Sequence, residues 1–217
     1  MVFIESITQG IKMKKIVISV FLMTTYAVGV NAAQPSSIAQ FAGTWDCQYV
    51  TGSHSFGDNA SFNVAEKSIE TSTADGRTQS KVVSKIILDF AGKPVVVTLN
   101  STTETVSRLE GNTIYSQIVS YNQESREVSQ PDKITLTSLF PKGNKKNLES
   151  NQENFDEGLK AMGDNLGVKT ERSMKRRIKK KQDVVMKIDE FSPQTYKGHV
   201  TEGDVVTSAQ CTKVKNH

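Results

Sequence analysis

Phe41-Ala42-Gly43-Thr44-Trp45-Asp46-Cys47-Gln48-Tyr49-Val50 carries the single tryptophan of a 217-residue chain and one of its two cysteines. Trp45, Cys47 and Tyr49 alternate with Thr44, Asp46 and Gln48, the period of two expected of a strand with one buried face. The second cysteine, Cys211, stands almost at the other end. Between the two, turn signals recur: Ala74-Asp75-Gly76-Arg77, Ala91-Gly92-Lys93-Pro94, Leu109-Glu110-Gly111-Asn112 and Glu202-Gly203-Asp204.

The segments between these turns read as strands. Residues 62–71 form one, with Phe62 and Val64 on its apolar side. Val82, Ile86, Leu88 and Phe90 share one parity, and Val95, Val97 and Leu99 begin the strand after it. Residues 114–121 carry apolar side chains on both parities, which leaves their inward face open. Residues 134–140 read as a further strand, 184–189 as another, and 205–214, with Cys211, as the last. Residues 51–59 read as a glycine-containing loop. The whole predicts a mainly β domain over 41–217, an antiparallel meander of about eight or nine strands behind a flexible lead-in over 33–40.

The period changes once. Phe155, Leu159, Met162 and Leu166 line one helical face within 150–167, Ser150-Asn151-Gln152-Glu153 has capping-box spacing, and Gly167 is placed to terminate. Gly158 and Gly163 weaken that helix by about 1 kcal/mol each relative to alanine. A basic run follows over 169–181, including Lys175, Arg176, Arg177, Lys179, Lys180 and Lys181. It completes a helical and basic insertion at about 145–181. The run reads either as a solvated strand edge or loop, or as a patch for an anionic partner.

Residues 1–32 have the make-up of a secretory signal peptide. Met13-Lys14-Lys15, a possible initiation point, precedes an apolar and hydroxylic run, and Val30-Asn31-Ala32 supplies a cleavage site, so cleavage is expected after Ala32 or Ala33. The run is shorter than the roughly 20 residues of a membrane span, so no integral membrane protein is expected after cleavage. Two cysteines in an exported chain most simply make one disulfide, Cys47 to Cys211, which requires the first and last strands to be neighbours. Closing so long a loop removes about 4 to 5 kcal/mol of unfolded-chain entropy. Export places the protein in the periplasm, or outside the cell.

The chemistry-bearing residues point away from catalysis. Ser53-His54-Ser55 with Asp58 holds triad residue types, but adjacent residues on an extended chain face opposite ways, and no Gly-x-Ser-x-Gly elbow exists. His54, His199 and His217 lack metal-ligand spacing, and phosphate-cradling glycine loops are missing, so neither metal nor cofactor is expected. No aromatic residue interleaves the basic run, which argues against nucleic acid and leaves an anionic envelope component or an exported protein as the surface partner. Trp45, Tyr49, Phe62, Phe90, Tyr115 and Tyr121 are the aromatics that could line a barrel cavity or fill a core.

Gly43-Thr44-Trp45 ahead of a meander resembles the Gly-x-Trp opening of lipocalins and related calycin barrels. With Ile188-Asp189-Glu190-Phe191-Ser192-Pro193 and the closing Cys211-Thr212-Lys213, it is similar to a group of small exported bacterial lipocalin-like proteins of unknown function. The resemblance implies a barrel or strongly curved sheet, and a basic side chain from a late strand over the tryptophan, for which Lys213 is the positional candidate. The expected function is a non-catalytic binding protein holding a small apolar or amphipathic ligand in a barrel mouth; the alternative is a surface protein that docks through its basic segment.

Overall fold

The computed structural model describes residues 34–217 apart from 58–59, 91, 131–132, 204 and 216–217. The expected signal peptide lies outside the described residues. A short 3-10 helix, Ile38–Phe41, leads into β1 (Gly43–Thr51), β2 (His54–Gly57), β3 (Ala60–Ser72), β4 (Arg77–Phe90), β5 (Lys93–Glu110) and β6 (Thr113–Ser129). Helices α1 (Leu136–Leu139), α2 (Lys145–Ser150) and α3 (Gln152–Lys180) follow, then β7 (Asp183–Phe191), β8 (Thr195–Glu202) and β9 (Val205–Lys213).

The meander closes on itself. All pairings are antiparallel, and β1 pairs with β3 on one edge and β9 on the other, so hydrogen bonds run around a complete ring. β1 ends its pairing with β3 at Val50 opposite Ala65, and the exposed remainder of that edge would be left without partners. β2 takes it up, with His54 opposite Phe62. The loop expected over 51–59 is therefore partly a strand, called into being by an edge that β1 is too short to cover.

The wall is uneven. β3 to β6 run 13 to 18 residues, whereas β1 and β7 to β9 run 8 or 9. β7 pairs with β6 only as far as Gln117. Beyond that point the inner face of the long strands needs another cover, and α3 packs against β6 and β5 to supply it. Leu88, Val95, Ile134 and Leu159 form a buried cluster there, joined by Phe155, Met162 and Leu166. The helical face read from the sequence is the face that packs.

Two bulges explain the mixed parity of β6. Ile118 lies opposite Thr105 and Ser120 opposite Glu104, so Val119 is the extra residue; a second shift falls between Gln123 and Ser125. Each bulge exchanges the inward and outward sets.

Residues 134–140 are not a strand. Ile134 is fully buried under the helical segment, Thr135 accepts a hydrogen bond from Ser138 N to cap α1, and the Gln152 side-chain amide meets Ile134 O (3.0 Å) and Leu136 N (2.8 Å). Backbone groups that a strand would have paired are satisfied by a side chain of α3. Nor does the expected capping box form: Ser150 belongs to α2, and Asn151 precedes α3 without a side-chain cap.

Gly167 does not end the helix. It sits inside α3 where a Cβ would overlap Arg126 Cδ, so its role is room for close packing, and Lys181 supplies the left-handed C-cap (φ 50°). The basic run is consequently the second half of α3 rather than a loop or strand edge.

Candidate functional site

One end of the barrel is plugged. Phe41, Trp45, Phe191 and Tyr196 stack around the Cys47–Cys211 disulfide, with Trp45 1% exposed and its Nε1 donating to Phe41 O over 2.7 Å. Phe41 lies 5.0 Å from Phe191 and Trp45 5.0 Å from Tyr196, centroid to centroid. The two cysteines face each other in register across β1 and β9, Cα atoms 4.1 Å apart. Lys213 Nζ stands 5.2 Å from the Trp45 ring, and a Cβ at Gly43 would approach Lys213 Cε to 2.7 Å, so glycine there leaves the lysine its place. Trp45 is thus part of the plug, as its position two residues before a bridging cysteine suggests.

Above the plug lies a cavity of about 480 Å³, extending from Ile38 and Phe41 to the underside of α3. Its apolar wall includes Val82, Ile118, Met174, Val184 and Val200. Serines and threonines furnish much of the rest, several already joined across neighbouring strands: Ser72 with Thr78 and Ser107 with Ser116, each at 2.8 Å. Thr170, Ser173, Met174 and Arg177 of α3 form the roof. Arg177 forks onto Glu202 of β8, with nitrogen to oxygen distances of 2.6 and 2.5 Å, and so ties the roof to the short wall.

Carboxylates face the interior. Glu66 and Glu70 share the inward parity of Phe62 and Val64 on β3. Glu70 accepts from Tyr49 Oη (2.7 Å) and Ser68 Oγ (2.6 Å), and Glu66 accepts from Ser84 Oγ (2.7 Å). Burial lifts the Glu70 carboxyl above its ordinary range against the lowering effect of those two hydrogen bonds, and burial beside Glu70 lifts the Tyr49 phenol well above its own. The acidic side chains in the lining are Glu66, Glu70 and Glu202, and Arg177 is the cation among them.

A second chamber of about 230 Å³ adjoins the first and shares Tyr49, Glu66, Val205 and Thr207 with it. Phe62 and His54 wall its far side, ring centroids 5.1 Å apart. His54 is buried while Ser53 and Ser55 are exposed, so the two serines do not share the buried side of His54; Asp58 lies outside the described residues.

No protein-family model matches the chain, and no curated protein matches it in sequence. Among the described residues, no three His, Cys, Asp or Glu side chains are grouped to hold a metal ion, and no helix is long and apolar enough to cross a membrane.

The sequence-selected residues are dispersed. Tyr49 lines both chambers and Phe62 the smaller one. Tyr121, past the first bulge of β6, is opposite Thr103, half-buried, and its phenol is raised by that burial. Tyr115 is on the other parity from Ile114 and receives the Arg108 guanidinium over its ring at 4.5 Å. The basic segment divides: Arg177 turns inward, Lys175 pairs with Glu171 at 2.6 Å, and Arg176, Lys179, Lys180 and Lys181 remain exposed. Glu66 and Glu70 are not among the aromatic and basic candidates, and the signal for them in the sequence is the parity they share with Phe62 and Val64.

Proposed function

We propose that the protein is a non-catalytic binding protein that encloses a small amphipathic molecule between the Phe41 plug and α3. The roofed cavity of about 480 Å³ carries this reading. It falls within the roughly 300–1,000 Å³ of small-molecule sites and mixes an apolar wall with a few placed polar groups. Export, to the periplasm or beyond, is supported by the Cys47–Cys211 disulfide together with the composition of residues 1–32. The likeness to lipocalin-like exported proteins gains support from the closed ring and from Lys213 over Trp45.

The test is native mass spectrometry of the disulfide-bonded protein purified from an exporting host. A bound small molecule is expected, and Val82→Trp, which fills the cavity, should expel it. Protein that carries no small molecule and takes none up from a lipid extract overturns the reading.

A second reading has its own observation. Lys169, Arg172, Arg176 and Lys179 recur at helical spacing along the exposed face of α3, with Lys180 and Lys181 beside them. This stripe suits docking on an anionic envelope surface. Replacing Lys179, Lys180 and Lys181 with glutamine should reduce salt-sensitive binding to phosphatidylglycerol vesicles; unchanged binding removes the idea.

A further inference from the structure

We infer that the chamber walled by His54, Phe62 and Glu66 is a headgroup subsite for a cationic amine, the polar end of the molecule whose apolar part lies in the main cavity. The inference rests on the enclosed-ligand reading above and adds the ligand's chemical class.

The first support is the chamber's lining. The buried His54 and Phe62 wall its far side with ring centroids 5.1 Å apart, and Glu66 stands where it adjoins the main cavity. The chamber is thus an aromatic-walled space with one carboxylate set in its lining.

The second support is charge. Glu66 faces both chambers and receives one hydrogen bond, from Ser84, whereas a carboxylate has about four lone-pair sites. The cation in the lining, Arg177, is already committed to Glu202 by its fork. Glu70 is occupied by Tyr49 and Ser68. Glu66 is the carboxylate left to meet a guest. An ammonium group brings several N–H donors and a positive charge to Glu66, and the aromatic wall beside it suits a cation. A carboxylate headgroup would meet Glu66 as a like charge. An alcohol would offer Glu66 one donor and no charge.

Three probes with one alkyl chain separate these cases: decylamine, decanol and decanoate, titrated calorimetrically into the disulfide-bonded protein at neutral pH. The amine should bind about tenfold or more tighter than the alcohol, as a charge-assisted bond outweighs a neutral one, and decanoate weakest. Glu66→Gln keeps the Ser84 contact and should bring amine and alcohol to similar affinity. Decanol or decanoate binding as tightly as decylamine, and lost in Val82→Trp, overturns the subsite while leaving the enclosed-ligand reading intact. Absence of binding by all three, with the folded spectrum unchanged, overturns both.

Discussion

Tyr49 donates its phenolic hydrogen to Glu70 Oε1 over 2.7 Å inside the barrel, and Ser68 Oγ reaches the same oxygen over 2.6 Å. The carboxyl is held above its ordinary pKa because burial outweighs these two bonds. The folded protein therefore keeps the Glu70 proton more tightly than the unfolded chain does. The stability this gives is fully present below the ordinary carboxylate range and is lost as pH rises through the raised folded value.

Glu70→Gln retains an acceptor for Tyr49 and cannot ionise. Its stability should match or trail the parent in acid and gain on it as pH rises toward neutrality. Urea midpoints of both proteins across that range decide the matter, and a parental advantage that grows with pH would contradict it.

The disulfide closes a loop of 164 residues. Paired Cys47→Ala and Cys211→Ala substitution should cost about 2–5 kcal/mol in urea unfolding, since most of the effect lies in freeing the unfolded chain. The β1 to β9 pairing around positions 47 and 211 does not depend on the bridge, so the far-ultraviolet spectrum should be retained.

Gly163 and Gly167 invite opposite outcomes. A Cβ at 163 would overlap Val128 Cγ2 and reach Val97 Cγ2 at 3.2 Å, both on packed strands. Gly163→Ala should destabilise by about 1–3 kcal/mol through overpacking, less the helix propensity gained. At 167 the neighbour is the Arg126 side chain, held to Asp164 at 2.9 Å but able to swing, so Gly167→Ala should be close to neutral. Equal losses at the two positions would refute this difference, measured by thermal unfolding.

Arg177→Gln removes the fork that ties α3 to β8. Both partners retain solvent contact, so the global loss should be about 1 kcal/mol or less. The local effect should be larger: amide exchange in residues 170–180 should quicken while that of β1 and β9 does not. Uniform acceleration would show that the fork holds the whole fold.

The hairpins, the single long helix and the neighbouring first and last strands were legible because period, turn residues and cysteine placement agree. Legibility failed where a tertiary partner decides. Nothing in residues 134–140 announces that Gln152 will satisfy their backbone, and Gly167 reads as a stop until Arg126 is seen against it. The parity of β6 could not be read without its bulges. His54 looked like a loop residue because β2 exists only to pair an edge that β1 leaves open. In the candidate site, Tyr49 and Phe62 are picked out by their aromatic character, whereas Glu66 and Glu70 are charged residues on the inward parity of β3, a place that period alone assigns to apolar side chains.

The pairing of Trp45 with Lys213 brings the two ends of the domain side by side, with Val214 N bonded to Thr44 O over 2.8 Å. The ring of strands thus has no natural beginning. A circularly permuted chain, its old ends joined by a short linker and its new ends opened at the Gly203 turn, would keep every strand neighbour except one covalent hairpin link. In that permutant only the linker and the short terminal segments beside it would separate Cys47 from Cys211, and the longest-range covalent constraint in the protein would become a local one.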